Sequence, residues 1–291
     1  MTAGLSGVAG VAGVSGMAAV AARPCVLVFA GMDPSGGAGI VADAQAVAGQ
    51  GAHALCVVTA LTVQDNDRAY AVQPVEPELV LRQARALTAK IAVAAVKVGI
   101  PGSAANARAI AQVIGALRAL QPQLPVVLDP VLASGHGDTL SRGDAVAALA
   151  PLLPLVTVLT PNAPEAQALS GQASAGAQAR ALRALGCRHV LITGGHGDGQ
   201  GIGSEVVNRW FAPGAASGAD AGAPPSCTQQ WRWQRLDGGF HGSGCTLASA
   251  IAGQLALGLP TGVALDQAQY YCNAALRDAY SVAPGQRIPL R

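Results

Sequence analysis

The segment HGSGC at positions 241–245 contains the residue types that most directly suggest chemistry. Gly242, Ser243 and Gly244 precede a long run of small residues that predicts a helix, so several backbone N–H groups should converge on its first turn. A turn of this kind binds anions. Cys245, at the same helix start, should have a lowered thiol pKa, which suits a proton acceptor or a nucleophile. A small buried cysteine without a chemical role is the alternative.

Two further segments place carboxylates after predicted strands. Asp129 follows three apolar strand residues and precedes Pro130, a position that suits a metal or a phosphate and equally a cap of the following turn. In TPNAPEA (160–166), Asn162 can cap a helix. Glu165 lies three residues later and suits either a capping box or a Mg²⁺ site. Taken alone, these residues leave both interpretations open.

A glycine-rich segment, GMDPSGGAG at positions 31–39, lies between a predicted strand and a predicted helix. Its glycines permit positive φ and close approach of the backbone to a ligand, which suits an anion at a helix N-terminus. The segment matches neither the dinucleotide-binding G-x-G-x-x-G pattern nor a P-loop. A tight strand-to-helix turn is the alternative.

Alternating strands and helices must position these segments. The predicted strands lie at 25–30, 54–61, 94–99, 125–130, 156–159 and 188–193. The predicted helices lie at 40–50, 77–90, 103–120, 143–149, 162–169, 175–185, 244–257 and 261–280. A hairpin with a mobile loop (212–226) is predicted between 205 and 236. The alternation indicates an α/β fold with a mostly parallel sheet, helices on both faces, and ligands at the carboxyl ends of the strands.

The composition favours one domain with a small-molecule partner. The 291 residues have 12% charged residues and a net charge of +2 without basic runs, which excludes an electrostatic footprint for nucleic acid or a membrane surface. No run of about 20 bulky apolar residues predicts a membrane helix. Residues 1–22 are uncharged with a glycine at every third position from Gly4 to Gly16, and predict a flexible extension before one domain at 23–291.

The cysteines indicate a reducing compartment. Six cysteines are scattered along the chain, and none has the close spacing of zinc sites or redox dithiols. Free thiols in the cytoplasm are therefore expected. The N-terminal extension lacks the positive region and bulky apolar core of a signal peptide.

Between about Cys25 and Tyr280 the chain resembles the ribokinase-like superfamily, and within it the hydroxymethylpyrimidine/phosphomethylpyrimidine kinases of thiamine biosynthesis. The resemblance rests on seven motifs in the family's order, namely AGMDPSGGAGIVAD (30–43), TALTVQDN (59–66), VKVGI (96–100), LDPVLASGHGD (128–138), LTPNAPEA (159–166), ITGGH (192–196) and HGSGCT (241–246). It implies a three-layer ribokinase-like fold with a small hairpin. It also implies ATP- and Mg²⁺-dependent phosphorylation of 4-amino-5-hydroxymethyl-2-methylpyrimidine and of its monophosphate, and we expect a homodimer.

The resemblance assigns the first glycine cluster to the acceptor rather than to the nucleotide. By this resemblance, the pyrimidine pocket is lined by Gly31, Asp43, Gln64 and Ile100. The amide of Gln64 suits the amino group and adjacent ring nitrogen of an aminopyrimidine, because it offers both an acceptor and donors.

The resemblance also implies roles at the ATP end and at the point of transfer. The ATP and Mg²⁺ residues implied are Asp129, Asn162, Glu165 and Thr193, with Mg²⁺ bound through Glu165 and the phosphates. The backbone amides of 242–245 would stabilise the transferring phosphoryl group, and Cys245 would take the proton of the hydroxymethyl group.

The sequence departs from the family pattern at Thr193, where these kinases commonly have lysine. Its C-terminal segment is shorter than usual, and its 212–226 loop is richer in glycine and alanine. Two alternatives are a pyridoxal or pyridoxine kinase of the same fold, and a catalytically weak pyrimidine-binding protein. Gln64 favours the pyrimidine kinase over the first, and the set Asn162, Glu165 and Cys245 argues against the second.

Overall fold

A computed structural model describes residues 22–133, 137–138, 140, 143–195, 205–214 and 227–291. The predicted extension at 1–22, apart from its last residue, and most of the predicted loop at 212–226 lie outside these residues. In the described part of the chain, no helix combines the length and apolar character needed to cross a membrane.

One mixed sheet forms the centre of the described structure. Its strands are β1 (Cys25–Met32), β2 (His53–Gln64), β3 (Ala69–Pro74), β4 (Ala95–Val98), β5 (Val126–Leu128), β6 (Val158–Leu159), β7 (His189–Ile192), β8 (Glu205–Phe211) and β9 (Gln229–Gln234). They are arranged in the order β3-β2-β1-β4-β5-β6-β7-β8-β9. The strands from β2 to β7 in this order run parallel, whereas β3, β8 and β9 are each antiparallel to their neighbours.

Helices cover both faces of the sheet, which confirms the predicted three-layer α/β fold. They are α1 (Gly39–Gly49), α2 (Pro77–Thr88), α3 (Ala104–Leu120), α4 (Ala145–Leu149), α5 (Ala163–Ser170), α6 (Ala175–Ala184), α7 (Ser243–Ala256) and α8 (Thr261–Arg277). One core contains residues of α1, α7 and α8, and the other contains residues of α2 to α6. The central strands β4 to β7 are buried throughout, as parallel strands covered on both faces must be.

The edge of the sheet differs from the sequence prediction. The predicted strand at 54–61 extends to Gln64, and the unpredicted β3 pairs with it as a hairpin. These residues alternate between half-buried and exposed positions, so their apolar pattern is too weak to predict a strand. The hairpin turn is held from both sides. Asn66 donates to the carbonyls of Pro284 and Gln286, and the Arg68 guanidinium pairs with Asp138.

The sheet brings several predicted site residues together where the carboxyl ends of its parallel strands lie. Gln64 ends β2, Ile100 lies just beyond β4, and Asp129 directly follows β5. Asn162 and Thr193 lie beyond β6 and β7 and form a parallel β-bridge with each other. Because these strands are parallel, their carboxyl ends meet at the same edge, where the fold predicts ligand binding.

Candidate active site

A cavity of about 1030 Å³ lies at the carboxyl ends of the parallel strands. It is lined by all but one of the predicted site residues, namely Gly31, Gln64, Ile100, Asp129, Asn162, Glu165, Thr193, Gly242, Ser243, Gly244 and Cys245. The exception is Asp43. Residues that are far apart in the sequence therefore share one cavity, which is large enough for a nucleotide and a small acceptor.

One end of the cavity lies beside β1, β2 and β4. Gly31 packs directly against Ile100, because a Cβ at Gly31 would lie 2.6 Å from the Ile100 Cδ1. The Ile100 carbonyl accepts a hydrogen bond of 2.6 Å from the Thr59 hydroxyl, which fixes this wall. Gln64 is half-buried at the rim. This end of the cavity, lined by Gly31, Gln64 and Ile100, is called the slot; it offers the apolar side chain of Ile100 and the polar amide of Gln64.

Asp43 lies behind the cavity wall instead of lining the pocket, and this corrects its predicted placement. Its side chain is fully buried, and both of its oxygens lie 2.8 Å from the Lys97 Nζ. It also accepts a hydrogen bond from the Ser249 hydroxyl. A charge this deep in the protein requires a charged partner. Burial acts to lower the pKa of Lys97, but the negative charges of Asp43 and Asp129 and the hydrogen bond to Asp43 act in the opposite direction, and the pKa is raised. Lys97, which the motif contained but the sequence analysis did not single out, lines the cavity.

Helix α7 begins at the centre of the cavity, as predicted for the 242–245 segment. Gly242 caps the helix at φ +81°, in the left-handed region, and a Cβ there would collide with the Gly37 carbonyl. The first amides of the helix therefore lack intrahelical partners and carry the positive end of its dipole. Gly244 faces Asp129, since a side chain at Gly244 would begin 3.3 Å from the Asp129 Oδ2. The helix start thus forms an anion site next to a carboxylate.

The thiol of Cys245 differs from the sequence prediction. Cys245 lines the cavity from the first turn of α7, but burial raises its pKa to about 12. The positive charge of Lys97 acts to lower this pKa, while the charges of Asp43 and Asp129 act to raise it. Desolvation therefore outweighs the lowering of the thiol pKa that was predicted from the helix start. The thiol is neutral at physiological pH.

Asn162 and Glu165 form a capping box at the start of α5. The Glu165 N–H donates to the Asn162 Oδ1 at 2.8 Å, and the Asn162 N–H donates to the Glu165 Oε2 at 2.9 Å. Burial and the nearby Asp129 charge raise the pKa of Glu165 to about 8. The capping interpretation is thus present in the structure, and the carboxylate still lines the cavity.

Asp129 supplies an oxygen that suits a divalent cation. Burial raises its pKa to about 6, with Lys97 opposing this shift, and its Oδ2 is buried without a hydrogen-bond partner among the described residues. No group of three His, Cys, Asp or Glu side chains in the described ranges forms a complete metal site. One or two carboxylates together with phosphate oxygens is the usual Mg²⁺ arrangement in kinases, and Asp129 with Glu165 fits it.

Thr193 lines the opposite end of the cavity, beside β8 and β9. The next residue, Gly194, donates its N–H to the Asn208 Oδ1 at 2.9 Å, which anchors this turn to β8. Arg235 lies at the end of β9 and donates to the Gly195 carbonyl at 3.3 Å. Arg235 was not predicted, because nothing in its local sequence distinguishes it from other surface arginines.

A second unpredicted group connects the first glycine cluster to the anion site. The His241 Nε2 lies 2.8 Å from the Asp33 Oδ2, and Asp33 also accepts hydrogen bonds from Ser35 and from the Ala38 N–H. Burial acts to raise the pKa of Asp33, but these hydrogen bonds and the His241 charge lower it. Both residues lie in motifs that the sequence analysis identified, but their pairing is visible only in the fold.

Arg291 links the glycine-rich segment 31–39 to the start of α7. Its guanidinium donates to the Thr246 hydroxyl at 2.8 Å, to the Gly37 carbonyl at 2.6 Å and to the Gly242 carbonyl at 3.4 Å. It therefore fixes the position of the glycine-rich segment 31–39 relative to the start of α7.

Known proteins are similar to this chain over about nine-tenths of its length. The hydroxymethylpyrimidine/phosphomethylpyrimidine kinase of Rhizobium meliloti is 37% identical over 267 residues, which cover 89% of this chain and 93% of that protein. The protein of the same name from Mycobacterium tuberculosis is 38% identical over 269 residues, with 90% and 91% covered. The thiamine biosynthesis multifunctional protein ThiED of Corynebacterium efficiens is 34% identical over 271 residues, and this chain spans only 34% of its length.

Two solved structures share the fold. The pyridoxal kinase of Bacillus subtilis, solved as an ADP complex, superimposes with a TM-score of 0.75 at 26% identity, covering 92% of this chain and 97% of that chain. The phosphomethylpyrimidine kinase of Clostridium difficile gives a TM-score of 0.68 at 28% identity, with 86% and 98% covered. A family model described as phosphomethylpyrimidine kinase matches residues 33–289. With its motifs gathered around a single cavity, the chain belongs to the phosphomethylpyrimidine kinase family.

Proposed function

We propose that the protein transfers the γ-phosphoryl group of ATP to the hydroxymethyl group of 4-amino-5-hydroxymethyl-2-methylpyrimidine, and then to the resulting monophosphate, in thiamine biosynthesis. The observation that carries this proposal is a cavity in which the start of α7 contacts the glycine segment 31–39 near the slot and also faces Asp129 at the carboxylate-lined end. An acceptor in the slot and a nucleotide at the other end would meet at the anion site.

The acceptor is held in the slot, beside Gly31 and Ile100. The amide of Gln64 pairs with the amino group and ring nitrogen of the pyrimidine, since it can donate and accept at once. Shape and amide together place the hydroxymethyl group toward Cys245.

Transfer takes place at the first turn of α7. The amides of Gly242, Ser243, Gly244 and Cys245 stabilise the charge on the phosphoryl group as it moves between oxygens. The thiolate of Cys245 accepts the hydroxyl proton as the new O–P bond forms. Because the thiol is neutral at physiological pH, this role makes the rate depend on the small thiolate fraction, which Lys97 increases.

Asn162, Glu165, Asp129 and Thr193 form the nucleotide end. Asp129 and Glu165 would hold Mg²⁺, with phosphate oxygens completing its coordination. When bound, Mg²⁺ neutralises negative charge on the phosphates. Arg235 at the rim supplies a positive charge near Thr193, where relatives commonly carry lysine.

Pyridoxal phosphorylation is the second candidate, because the Bacillus subtilis pyridoxal kinase shares the fold at a TM-score of 0.75. The two functions separate in one experiment. Purified protein is incubated with ATP, Mg²⁺ and either the aminopyrimidine alcohol or pyridoxal, and mono- and diphosphates are separated by mass. We expect both pyrimidine products and slower use of pyridoxal. Absence of pyrimidine phosphates would contradict the proposal.

We also propose that the protein is a cytoplasmic homodimer, and an exposed apolar surface next to the edge strand supports the dimer. Leu61 and Val63 are 54% and 61% exposed and share one face of β2, next to the edge strand β3. A second copy that covers this apolar edge would bury both side chains. Light scattering should therefore show a dimer, and Leu61→Glu combined with Val63→Glu should shift it toward a monomer. An unchanged mass would contradict this surface.

A further inference from the structure

Gln269 lies at the end of the cavity opposite the acceptor slot, in the middle of α8. The sheet order places Gln64 at β2, Asp129 after β5, and Asn208 and Trp233 on β8 and β9. The anion site lies beside Asp129, between these two ends. If the acceptor occupies the β2 end, the part of the phosphoryl donor beyond its phosphates extends toward β8 and β9. This step rests on the proposed function.

The orientation of the Gln269 amide is fixed by its neighbours. The Trp233 indole N–H can only donate, and it lies 3.2 Å from the Gln269 Oε1. The Asn208 Nδ2 donates to the same oxygen at 2.8 Å. The Asn208 amide is oriented in turn by the Gly194 N–H, which donates to its Oδ1. The oxygen of Gln269 is therefore satisfied by two donors, and its Nε2 must be the remaining, donating end.

The Nε2 of Gln269 has no acceptor among the described residues, although the side chain is only 2% exposed. Buried donors without acceptors are rare because each costs about 1–3 kcal/mol, so an acceptor is expected from a molecule that enters the site. The surrounding cavity wall includes Val206, Trp233 and Leu276. These apolar and aromatic side chains suit a flat heterocycle, and adenine offers only ring nitrogens as hydrogen-bond acceptors.

We propose that the Gln269 Nε2 donates a hydrogen bond to a ring nitrogen of the purine base of the nucleoside triphosphate. The chain of amides from Gly194 through Asn208 to Gln269 links this contact to the turn at Thr193. One side-chain network thus reaches from the phosphate end to the base.

The test measures direct binding by calorimetry, without turnover, for ATP and for its 1-deaza, 3-deaza and 7-deaza analogues, with 2′-deoxy-ATP as a probe of the ribose. Each analogue lacks one ring nitrogen and keeps the charge of ATP. In the wild-type protein, one analogue should bind about 3- to 10-fold more weakly than ATP, as expected for one lost hydrogen bond. Equal binding of ATP and all three analogues would overturn the proposal without any variant.

Two substitutions assign the effect to Gln269. Gln269→Glu keeps an oxygen for Asn208 and Trp233 and removes the amide donor, and Gln269→Met removes both. In each variant the sensitive analogue and ATP should bind equally well, because the contact is already lost. The control is Gln254→Met, since Gln254 is a buried amide on α7 that bonds to Gln50 and does not line the cavity. Gln254→Met should preserve the difference in affinity between ATP and the sensitive analogue that the wild-type protein shows.

The remaining outcomes are also decisive. Persistence of the analogue difference in both Gln269 variants would assign the ring nitrogen to another donor and overturn the proposal. A difference that appears only with 2′-deoxy-ATP would place the contact on the ribose and overturn the assignment to the base. Failure of the wild-type protein to bind ATP at all would instead contradict the proposed function.

Discussion

The neutral thiol of Cys245 makes the two proposed phosphorylations chemically different. The first acceptor is an alcohol, whose proton must leave as the O–P bond forms. The second acceptor is a phosphate monoester, whose oxygen is already ionised near neutral pH because its second pKa is about 6. A proton acceptor is therefore needed in the first step and not in the second.

Cys245→Ala should lower kcat for the alcohol by about 10²-fold or more, the usual effect of losing a general base. The same substitution should change kcat for the monophosphate far less. Steady-state kinetics on each purified acceptor measures both steps. Cys56→Ala is the matched control, because Cys56 is an exposed cysteine on β2. Equal losses in both steps would show that Cys245 acts by another route.

The pH profile gives an independent measure of the same residue. Since burial raises the pKa of Cys245 to about 12, its thiolate fraction increases with pH across the range from 7.5 to 9.5. The kcat for the alcohol should rise more steeply with pH in the wild-type protein than in Cys245→Ala, which keeps the ionisation of Glu165, whose pKa is about 8, and lacks that of Cys245. A wild-type profile that is flat in this range would contradict the thiolate requirement.

Thr193 is neutral, so Arg235 would supply the positive charge expected at the phosphates under the proposed function. Thr193→Lys should lower the KM for ATP several-fold, because a hydrogen bond to a charged group is worth about 1.5–3 kcal/mol and one between neutral groups about 0.5–1.5. Arg235→Gln should raise this KM, and the gain from Thr193→Lys should be larger in that background.

Arg232→Gln is the control for this pair, since Arg232 lies on β9, three residues before Arg235, and pairs with Glu205. It should leave the KM for ATP unchanged. If Thr193→Lys has no effect in either background, position 193 does not face the phosphates.

At the scale of the elements, the pairing of β7 with β8 contains a pH-sensitive contact. His189 on β7 is 8% exposed and accepts a hydrogen bond from the Trp210 indole on β8. Burial and the charges of Arg188 and Arg183 lower the pKa of His189 to about 4. The folded state therefore keeps His189 neutral, while the unfolded chain binds a proton below its ordinary pKa of about 6.5.

The contribution of neutral His189 to the free energy of unfolding should therefore be fully present above pH 6.5. It should decline as the pH falls from 6.5 toward 4. A 1.5-unit drop below 6.5 costs about 2 kcal/mol at 1.36 kcal/mol per unit. Urea unfolding at pH 7.5 and 5.0 measures this loss. His189→Gln keeps an acceptor for Trp210 and cannot titrate, so it should lose less stability over the same range. Equal pH dependence in both proteins would place the titrating group elsewhere.

The elements show which kinds of structure a sequence reveals. Helices such as α3 lie within one residue of their predicted bounds, because a helical apolar pattern is visible in the sequence; the structure adds the Ser103 cap at the first turn of α3. Strand β3 was not predicted, since a half-exposed edge strand has little apolar pattern. The site residues were predicted from motifs, but the burial of Asp43 and the pairing of His241 with Asp33 depend on how distant elements pack. The thiol pKa of Cys245 was predicted in the wrong direction, because desolvation is invisible in the sequence.

At the scale of the whole molecule, Arg291 joins two glycine segments that the fold brings together. Arg291→Gln removes the charged donors to the Gly37 and Gly242 carbonyls, and should cost about 2 kcal/mol of unfolding free energy. It should also lower kcat, because the start of α7 is less firmly positioned. Arg277→Gln should change the unfolding free energy by less than about 0.5 kcal/mol, since Arg277 is an exposed residue paired with Asp278. Equal stability of the two variants would contradict a bracing role for Arg291.

The pairing of His241 with Asp33 also affects when the site can form during folding and synthesis. These residues are 208 positions apart, and the hydrogen bond from Ser249 to Asp43 spans 206. Contacts over such separations carry a large loop-closure entropy and form late in folding. During synthesis, the glycine-rich segment 31–39 leaves the ribosome long before His241 and α7, which complete the site. A nascent chain that ends before residue 241 therefore carries an exposed, unfinished half of the site, and the enzyme becomes competent only when α7 has been made.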